Sequence, residues 1–232
     1  MRRAEGHTLA VLRTVDGGGR RLTQNPQPIM ATLQVERPTV ERVSATEYLR
    51  HEREGDQPHK SEYRNGYIVP IPGASRHHVR IVTNIVAEFR DQFYNTDCFV
   101  FSTDLRVHVD DPDDPDEGLF TYPDVGVVCE EPQFLDDHND TLLNPALLIE
   151  VLSKSTRDYD RGEKFARYRS ISTLRDYVLI DQERPHAEHF SKQDDGRWML
   201  DETSDPEATL ALSSVEAELA LAEAYHKVEF EA

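Results

Sequence analysis

One carboxylate inside an otherwise apolar run constrains this chain more than any other feature of its sequence. Residues 146–152 run Ala-Leu-Leu-Ile-Glu-Val-Leu, which predicts a buried central strand interrupted by Glu150 alone. An unpaired charge is costly to bury, so this carboxylate needs a cation or a hydrogen-bonded partner. Two interpretations follow: Glu150 is a metal ligand, or it forms a structural ion pair with an arginine such as Arg169 or Arg175.

A second carboxylate, Asp124, stands at the start of another apolar segment. It follows Pro123 and precedes the predicted strand 125–129. A Pro-Asp pair by itself is typical of a turn. Together with Glu150, however, it gives two strands that each carry one carboxylate, an arrangement that suits a hard cation such as Mg²⁺, with Mn²⁺ as a substitute. Such a cation activates water against a phosphoryl group. We therefore predict metal-dependent phosphodiester hydrolysis with Asp124 and Glu150 as metal ligands.

Three further residues complete the predicted catalytic set. Glu62, just before an Asn-Gly turn, supplies a third carboxylate, and His78 opens the longest amphipathic segment. A cation is also needed to stabilise developing negative charge. The position two residues after Glu150, where a lysine would face the same side of the strand, is Leu152, which leaves two candidates: Lys154 beyond the end of the strand, and Lys164 on the following predicted helix. For Glu62, His78 and Lys164 the alternative is an ordinary polar surface residue.

Alternating helical and strand patterns predict a single α/β domain. The first helix begins with a capping box at 44–47, and a tight turn at Asn65-Gly66 leads into a strand. The other predicted elements are a helix at 78–94, one half-buried strand at 99–109, a hairpin loop at 110–118, a helix at 158–170 with Phe165 and Ala166 inward, a strand at 177–180, a hairpin formed by 186–190 and 197–201, and a helix at 219–225.

Composition limits the classes of protein and of site. The 232 residues fit one domain, and the net charge of −18 argues against a broad basic surface for nucleic acid, although a cleft needs only local positive charge. No apolar run is long enough to cross a membrane, and no signal peptide is evident, which predicts a cytoplasmic protein. Cys98 and Cys129 are predicted to be unpaired core residues, without a zinc site or a disulfide framework.

The first 29 residues differ from the rest of the chain. They contain five arginines against two acidic residues, a Gly-Gly-Gly run and no sustained hydrophobic period. We predict a disordered extension at 1–29, preceding the nuclease-like domain at 30–232. The alternative is a basic arm that contacts DNA.

Six short motifs in order resemble the Uma-two family of restriction endonuclease-like proteins, within the PD-(D/E)xK nuclease superfamily. The resemblance covers roughly residues 40–228. It rests on Ser61-Glu62-Tyr63 with Gly66, residues 73–78, Tyr122-Pro123-Asp124-Val125, residues 149–153 with Ser155-Thr156, residues 160–165, and residues 175–178.

The resemblance implies a mixed central β-sheet flanked by helices, with a restriction-endonuclease-like core. It also implies metal-bound Asp124 and Glu150, an acidic contribution from Glu62, and a catalytic lysine displaced from the strand to Lys164. Lys154, where the family usually has proline, is then incidental. We predict DNA as the substrate, and a homodimer would supply two sites for two strands. The alternative is a DNA-binding or regulatory module that keeps the nuclease fold without cleaving.

Overall fold

The computed structural model describes residues 42–55, 59–110 and 118–230, so the predicted extension at 1–29 lies outside the described residues. The helices are α1 (Ala45–Glu54), α2 (Arg76–Gln92), α3 (Arg157–Tyr159), α4 (Phe165–Tyr168) and α5 (Leu221–Ala224), and a π-helical turn (Asp160–Lys164) joins α3 to α4. The strands are β1 (Ser61–Arg64), β2 (Tyr67–Pro70), β3 (Phe99–Ser102), β4 (Arg106–Val109), β5 (Leu119–Thr121), β6 (Val125–Val128), β7 (Thr141–Leu142), β8 (Leu147–Leu152), β9 (Asp176–Asp181), β10 (Ala187–Lys192), β11 (Trp198–Thr203), β12 (Thr209–Leu212) and β13 (Ala217–Ala220).

A mixed six-stranded sheet forms the centre of the fold, in the order β11-β10-β9-β8-β6-β3. Strands β8 and β9 are parallel, whereas the other neighbours are antiparallel. All six residues of β8 are buried, as its apolar sequence predicts. Helix α2 packs Ile81, Ile85 and Phe89 against one face of this sheet, so the predicted amphipathic helix and the predicted fold class are confirmed.

A second sheet, in the order β2-β1-β5-β4-β7, contributes to the core on the opposite face of the central sheet. Helix α1 begins at the predicted Ser44 capping box and packs Tyr48 against Tyr63 and Phe120 of this second sheet. The predicted turn between β1 and β2 is also present, because Asn65 and Gly66 both have positive φ.

The prediction of a single strand over 99–109 was wrong, because this segment contributes to both sheets. Strand β3 ends at Ser102 and pairs with β6, while β4 begins at Arg106 and pairs with β5. The chain turns between them, where the Leu105 N–H donates to the carbonyl of Ser102. Apolar residues continue at alternate positions on both sides of this turn, so the hydrophobic pattern does not reveal it. The antiparallel pairing of β4 with β5 agrees with the predicted hairpin, whose loop at 111–117 lies outside the described residues.

The segment predicted as one helix at 158–170 is helical from Arg157 to Tyr168 but contains the π-helical turn. Phe165 is buried, as predicted, whereas Ala166 is exposed, so its predicted inward orientation was wrong. An i→i+5 turn adds a residue to the helical repeat and shifts the side chains that follow. The buried residues of this segment are Asp160, Lys164, Phe165 and Tyr168.

Two C-terminal predictions had different outcomes. The hairpin of β10 and β11 is present, but the predicted helix at 219–225 begins only at Leu221, because Leu219 belongs to β13. Strands β12 and β13, which the sequence did not indicate, pair with each other and pack their apolar face with α2.

The prediction of unpaired cysteines was also wrong, since Cys98 and Cys129 form a disulfide. Strands β3 and β6 pair Phe99 with Val128, and the same register continued by one residue brings the two cysteines opposite each other. No helix in the described part of the chain is long and apolar enough to cross a membrane.

Candidate active site

The pairing of β6 with β8 brings the two predicted metal ligands together. Val125 pairs with Ile149 at the last position of this antiparallel ladder. Continuing the register by one residue sets Asp124 opposite Glu150. Directly opposed residues of antiparallel strands lie close together on the same face of a sheet, so the two carboxylates are neighbours although 26 positions separate them in the chain.

Asp124 is held by a backbone amide and a histidine. Its Oδ2 atom accepts a hydrogen bond from the Val151 N–H (2.7 Å) and lies 3.0 Å from His78 Nε2. His78 lies in the first turn of α2, a helix that begins after the Ser75 cap. Only 15% of the His78 side chain is exposed, so the surface interpretation of this residue was wrong.

Glu150 is almost completely buried, with two partners on the helical segment that crosses the sheet. Its Oε1 atom lies 2.7 Å from Lys164 Nζ and accepts a hydrogen bond from the Tyr168 hydroxyl at 2.9 Å. The alternative of an ion pair with Arg169 or Arg175 was wrong, since both arginines are exposed and the cation is Lys164. Burial raises the pKa of Glu150 well above its usual value, and the attraction of Lys164 only partly opposes this shift.

Lys164 lies at the centre of a group of carboxylates. Its Nζ atom is 2.7 Å from Glu150, 3.5 Å from Glu62 and 3.7 Å from Asp160, and the residue is buried, so the surface interpretation was wrong. Burial by itself lowers the pKa of Lys164, but these three carboxylates more than offset this effect and raise the pKa well above its usual value. The lysine is therefore charged at neutral pH.

Glu62 reaches this group from the second sheet and is also buried, which excludes its surface interpretation. Its Oε1 atom accepts a hydrogen bond from the Thr121 hydroxyl, and its Oε2 atom accepts from Arg64 Nε at 2.8 Å and from Arg64 Nη2. Burial raises the pKa of Glu62, but Lys164, Arg64 and these hydrogen bonds outweigh burial and lower the pKa below its usual value. Both oxygens of Glu62 are thus engaged by protein groups.

Asp160 is a further buried carboxylate of this group, and its sequence context did not indicate a site residue. It lies in the π-helical turn four residues before Lys164, and burial raises its pKa. An acidic residue one helical turn before a lysine is too common on exposed helices to identify such a site. Its burial depends on the packing of the π-helical turn on the sheet, which the sequence does not reveal.

These side chains line one cleft of about 610 Å³. They are Glu62, His78, Asp124, Glu150, Asp160 and Lys164, the five predicted catalytic residues and Asp160. Among the described residues of this group, four carboxylates lie close to two cations, Lys164 and the neighbouring Arg64.

The donor set at this cleft fits a hard divalent cation. Asp124 and Glu150 are each held through one carboxylate oxygen, and the other oxygen accepts no hydrogen bond from any described residue. In the described parts of the chain no three His, Cys, Asp or Glu side chains are clustered as a ready metal cage. Mg²⁺ is typically bound by one or two carboxylates together with water and substrate phosphate, so a pair of carboxylates suits it.

The chain is similar to two curated proteins of Synechocystis sp., named "Uncharacterized protein sll1609" and "Uncharacterized protein slr1290". The first is 35% identical over 175 residues, 75% of this chain and 95% of the relative. The second is 32% identical over 161 residues, 68% of this chain and 79% of the relative.

A crystal structure described as "a putative nuclease belonging to DUF820", from Anabaena variabilis, shares the fold with a TM-score of 0.62. At 17% identity the alignment covers 79% of this chain and 97% of that structure. Residues 45–224 match the family described as "Putative restriction endonuclease", and the chain therefore belongs to the Uma2 family.

Proposed function

We propose that this protein is a metal-dependent endonuclease that hydrolyses phosphodiester bonds in DNA. The observation that carries this proposal is the pair Asp124 and Glu150, set opposite each other at the end of β6 and β8 with the buried Lys164 against Glu150. Family membership supports the reaction class, because the family description names a restriction endonuclease.

In this proposal Asp124 and Glu150 hold Mg²⁺, or Mn²⁺ in its place, through the carboxylate oxygens that other described residues leave without a hydrogen bond. A cation bound there supplies polarisation of a phosphoryl oxygen and a lowered pKa of bound water. Because metal binding requires the ionised carboxylate, the raised pKa of Glu150 makes occupancy greater as the pH rises.

The remaining site residues stabilise the developing charge or hold the catalytic side chains in position. Lys164 donates hydrogen bonds to the phosphoryl oxygens, on which negative charge develops during the reaction. Its buried position makes this interaction stronger than it would be in water. His78 fixes the carboxylate of Asp124, as residues behind metal ligands commonly do. Glu62 acts on Lys164 and not on the metal, since both its oxygens are already engaged.

Plasmid nicking tests this function. Wild type, Glu150→Gln and Lys164→Met are incubated with supercoiled DNA in Mg²⁺, in Mn²⁺ and in EDTA. Lys154→Met is the matched control, because this lysine is 80% exposed and pairs with Glu183 outside the catalytic group. We expect wild type and Lys154→Met to nick in the presence of either metal, and the two site variants to lose nicking.

The alternative, a module that binds DNA without cleaving it, predicts a different pattern. Wild type would then shift a DNA fragment on a gel, and Asp124→Asn would shift it equally well, with no nicking in either metal. That result would overturn the endonuclease proposal. Nicking that persists in Glu150→Gln would assign the reaction to another group.

A further inference from the structure

Arg64 borders the catalytic group, but its hydrogen bonds leave part of its side chain unused. It follows Glu62 by two positions on β1, so the two side chains lie on the same face of the strand and line the same cleft. Its Nε and Nη2 atoms both donate to Oε2 of Glu62. An arginine has five N–H groups, and no hydrogen bond or ion pair to a described residue involves Nη1.

The guanidinium of Arg64 is held in place by two different contacts. Its Cζ atom lies 3.6 Å from the ring centroid of Tyr159, which stacks against it, while Glu62 binds it from the edge. The side chain is 28% exposed in this position. Stacking on an aromatic ring and a fixed hydrogen-bonded edge hold the orientation of an arginine, so little conformational freedom remains to be lost on binding.

This position is also connected to the catalytic lysine through one carboxylate. Glu62 binds Arg64 through Oε2, and its Oε1 atom is 3.5 Å from Lys164 Nζ. Arg64 and Lys164 both contact the same carboxylate, so the two cations lie close together. Neighbouring phosphates of a nucleic-acid strand are also close together, because one sugar links them. The remaining N–H groups of Arg64 match the chemistry of a phosphodiester oxygen, which accepts charge-assisted hydrogen bonds from arginine.

We propose that Arg64 binds a backbone phosphate of the substrate strand next to the phosphate that is cleaved. This proposal rests on the proposed function and adds a binding role for a residue outside the metal and lysine positions. Tyr159 holds the guanidinium flat, and Glu62 serves both cations. Phosphate contacts of this kind position the strand without reading its sequence, so the effect of Arg64 is the same on different sequences.

The test measures how salt changes DNA affinity. A labelled oligonucleotide is titrated with wild type, Arg64→Met, Arg64→Lys and Arg90→Met by fluorescence anisotropy, with Ca²⁺ replacing Mg²⁺, at several salt concentrations. Arg90 is the matched control, because it carries the same charge, is 71% exposed and pairs with Asp91 on α2. Nicking in Mg²⁺ and the thermal melt of each variant are measured in parallel.

We expect Arg64→Met to weaken binding about tenfold and to reduce the slope of log K against log salt by about 1, as the loss of one phosphate contact requires. Arg64→Lys should restore the slope, and Arg90→Met should match wild type. If Arg64→Met has the same salt slope as wild type, and the wild-type protein nicks DNA, the proposed role of Arg64 is overturned and the proposed function stands. Absence of both DNA binding and nicking in wild type overturns the proposed function and this inference together.

Discussion

Two charged clusters of the described residues differ in their numbers of positive and negative groups. The arginine cluster consists of Arg53, Arg106, Asp136 and Asp140: Arg53 contacts Asp136 and Asp140 at 2.8 Å, and the buried Arg106 also pairs with Asp140. The cleft cluster consists of Glu62, Asp124, Glu150, Asp160 and Lys164, with Arg64 against Glu62.

The arginine cluster has equal numbers of positive and negative groups and ties α1 to β4 and to the segment before β7. The cleft cluster has more carboxylates than cations, and two of these carboxylates have raised pKa values because of burial. A balanced cluster is electrically complete by itself, whereas an excess of buried carboxylates is stabilised by a further cation. We therefore propose the cleft cluster, and not the arginine cluster, as the metal site.

The largest expected effect comes from removing the central cation of the cleft cluster. Lys164→Met should lower the nicking rate about 100-fold to 1,000-fold and destabilise the fold by about 3–5 kcal/mol, because it leaves buried carboxylates without their partner. Single-turnover kinetics and urea unfolding measure the two effects. A variant as stable as wild type would contradict the view that Lys164 neutralises this cluster.

The second effect concerns the response of each cluster to metal. Mg²⁺ at about 100 times its dissociation constant should stabilise wild type by about 2.7 kcal/mol. Glu150→Gln should lose this gain, whereas Asp140→Asn should keep it, since Asp140 belongs to the arginine cluster. Thermal melts with Mg²⁺ and with EDTA provide the measurement. An equal gain in all three proteins would mean that the metal binds elsewhere.

The third effect separates the clusters by pH. The hydrogen bond from Arg53 and the contact with Arg106 hold the pKa of Asp140 well below its usual range, although burial acts in the opposite direction. The ionised form is favoured in the folded state, so this stabilisation is fully present above the unfolded pKa of about 4 and is lost as the pH falls toward the folded pKa. Asp140→Asn should cost about 2 kcal/mol at pH 7 and progressively less as the pH falls below about 4, with part of the cost still present at pH 3, as measured by urea unfolding. A cost that does not change with pH would exclude this electrostatic origin.

The smallest effect tests a single hydrogen bond behind a predicted metal ligand. Tyr168→Phe removes the hydroxyl that donates to Glu150 Oε1 but keeps the buried ring. Metal affinity should fall about tenfold, the lower end of the range for such orienting residues. Isothermal titration with Mn²⁺ measures it, with Tyr48→Phe as a control, since that buried hydroxyl donates to the backbone carbonyl of Ser61 and not to a predicted metal ligand. Equal affinities in both variants would remove Tyr168 from the orienting set.

Much of the fold was predictable, because the spacing of hydrophobic residues along the chain indicates which face of a helix or strand is buried. The period of α2 and the apolar run of β8 predicted elements that the structure contains, and the Asn65-Gly66 pair predicted its turn. The turn within 99–109 and the π-helical turn within the helix at 158–170 were not predictable. The first leaves the alternation of apolar residues unchanged, and its position depends on the pairing of β3 with β6 and of β4 with β5. The π-helical turn changes which later side chains are buried, and it contacts β9, where the Tyr177 hydroxyl donates to the Asp160 carbonyl.

The sequence by itself determined which residues could carry chemistry, because a charge in a run such as 146–152 is costly to bury without a partner. It did not determine the partners. The opposition of Asp124 and Glu150 depends on strand register, and the approach of Lys164 and Glu62 depends on packing between the two sheets and the helical segment. Only the tertiary structure decides these distances, because the charged side chains belong to segments that lie up to about a hundred positions apart in the sequence.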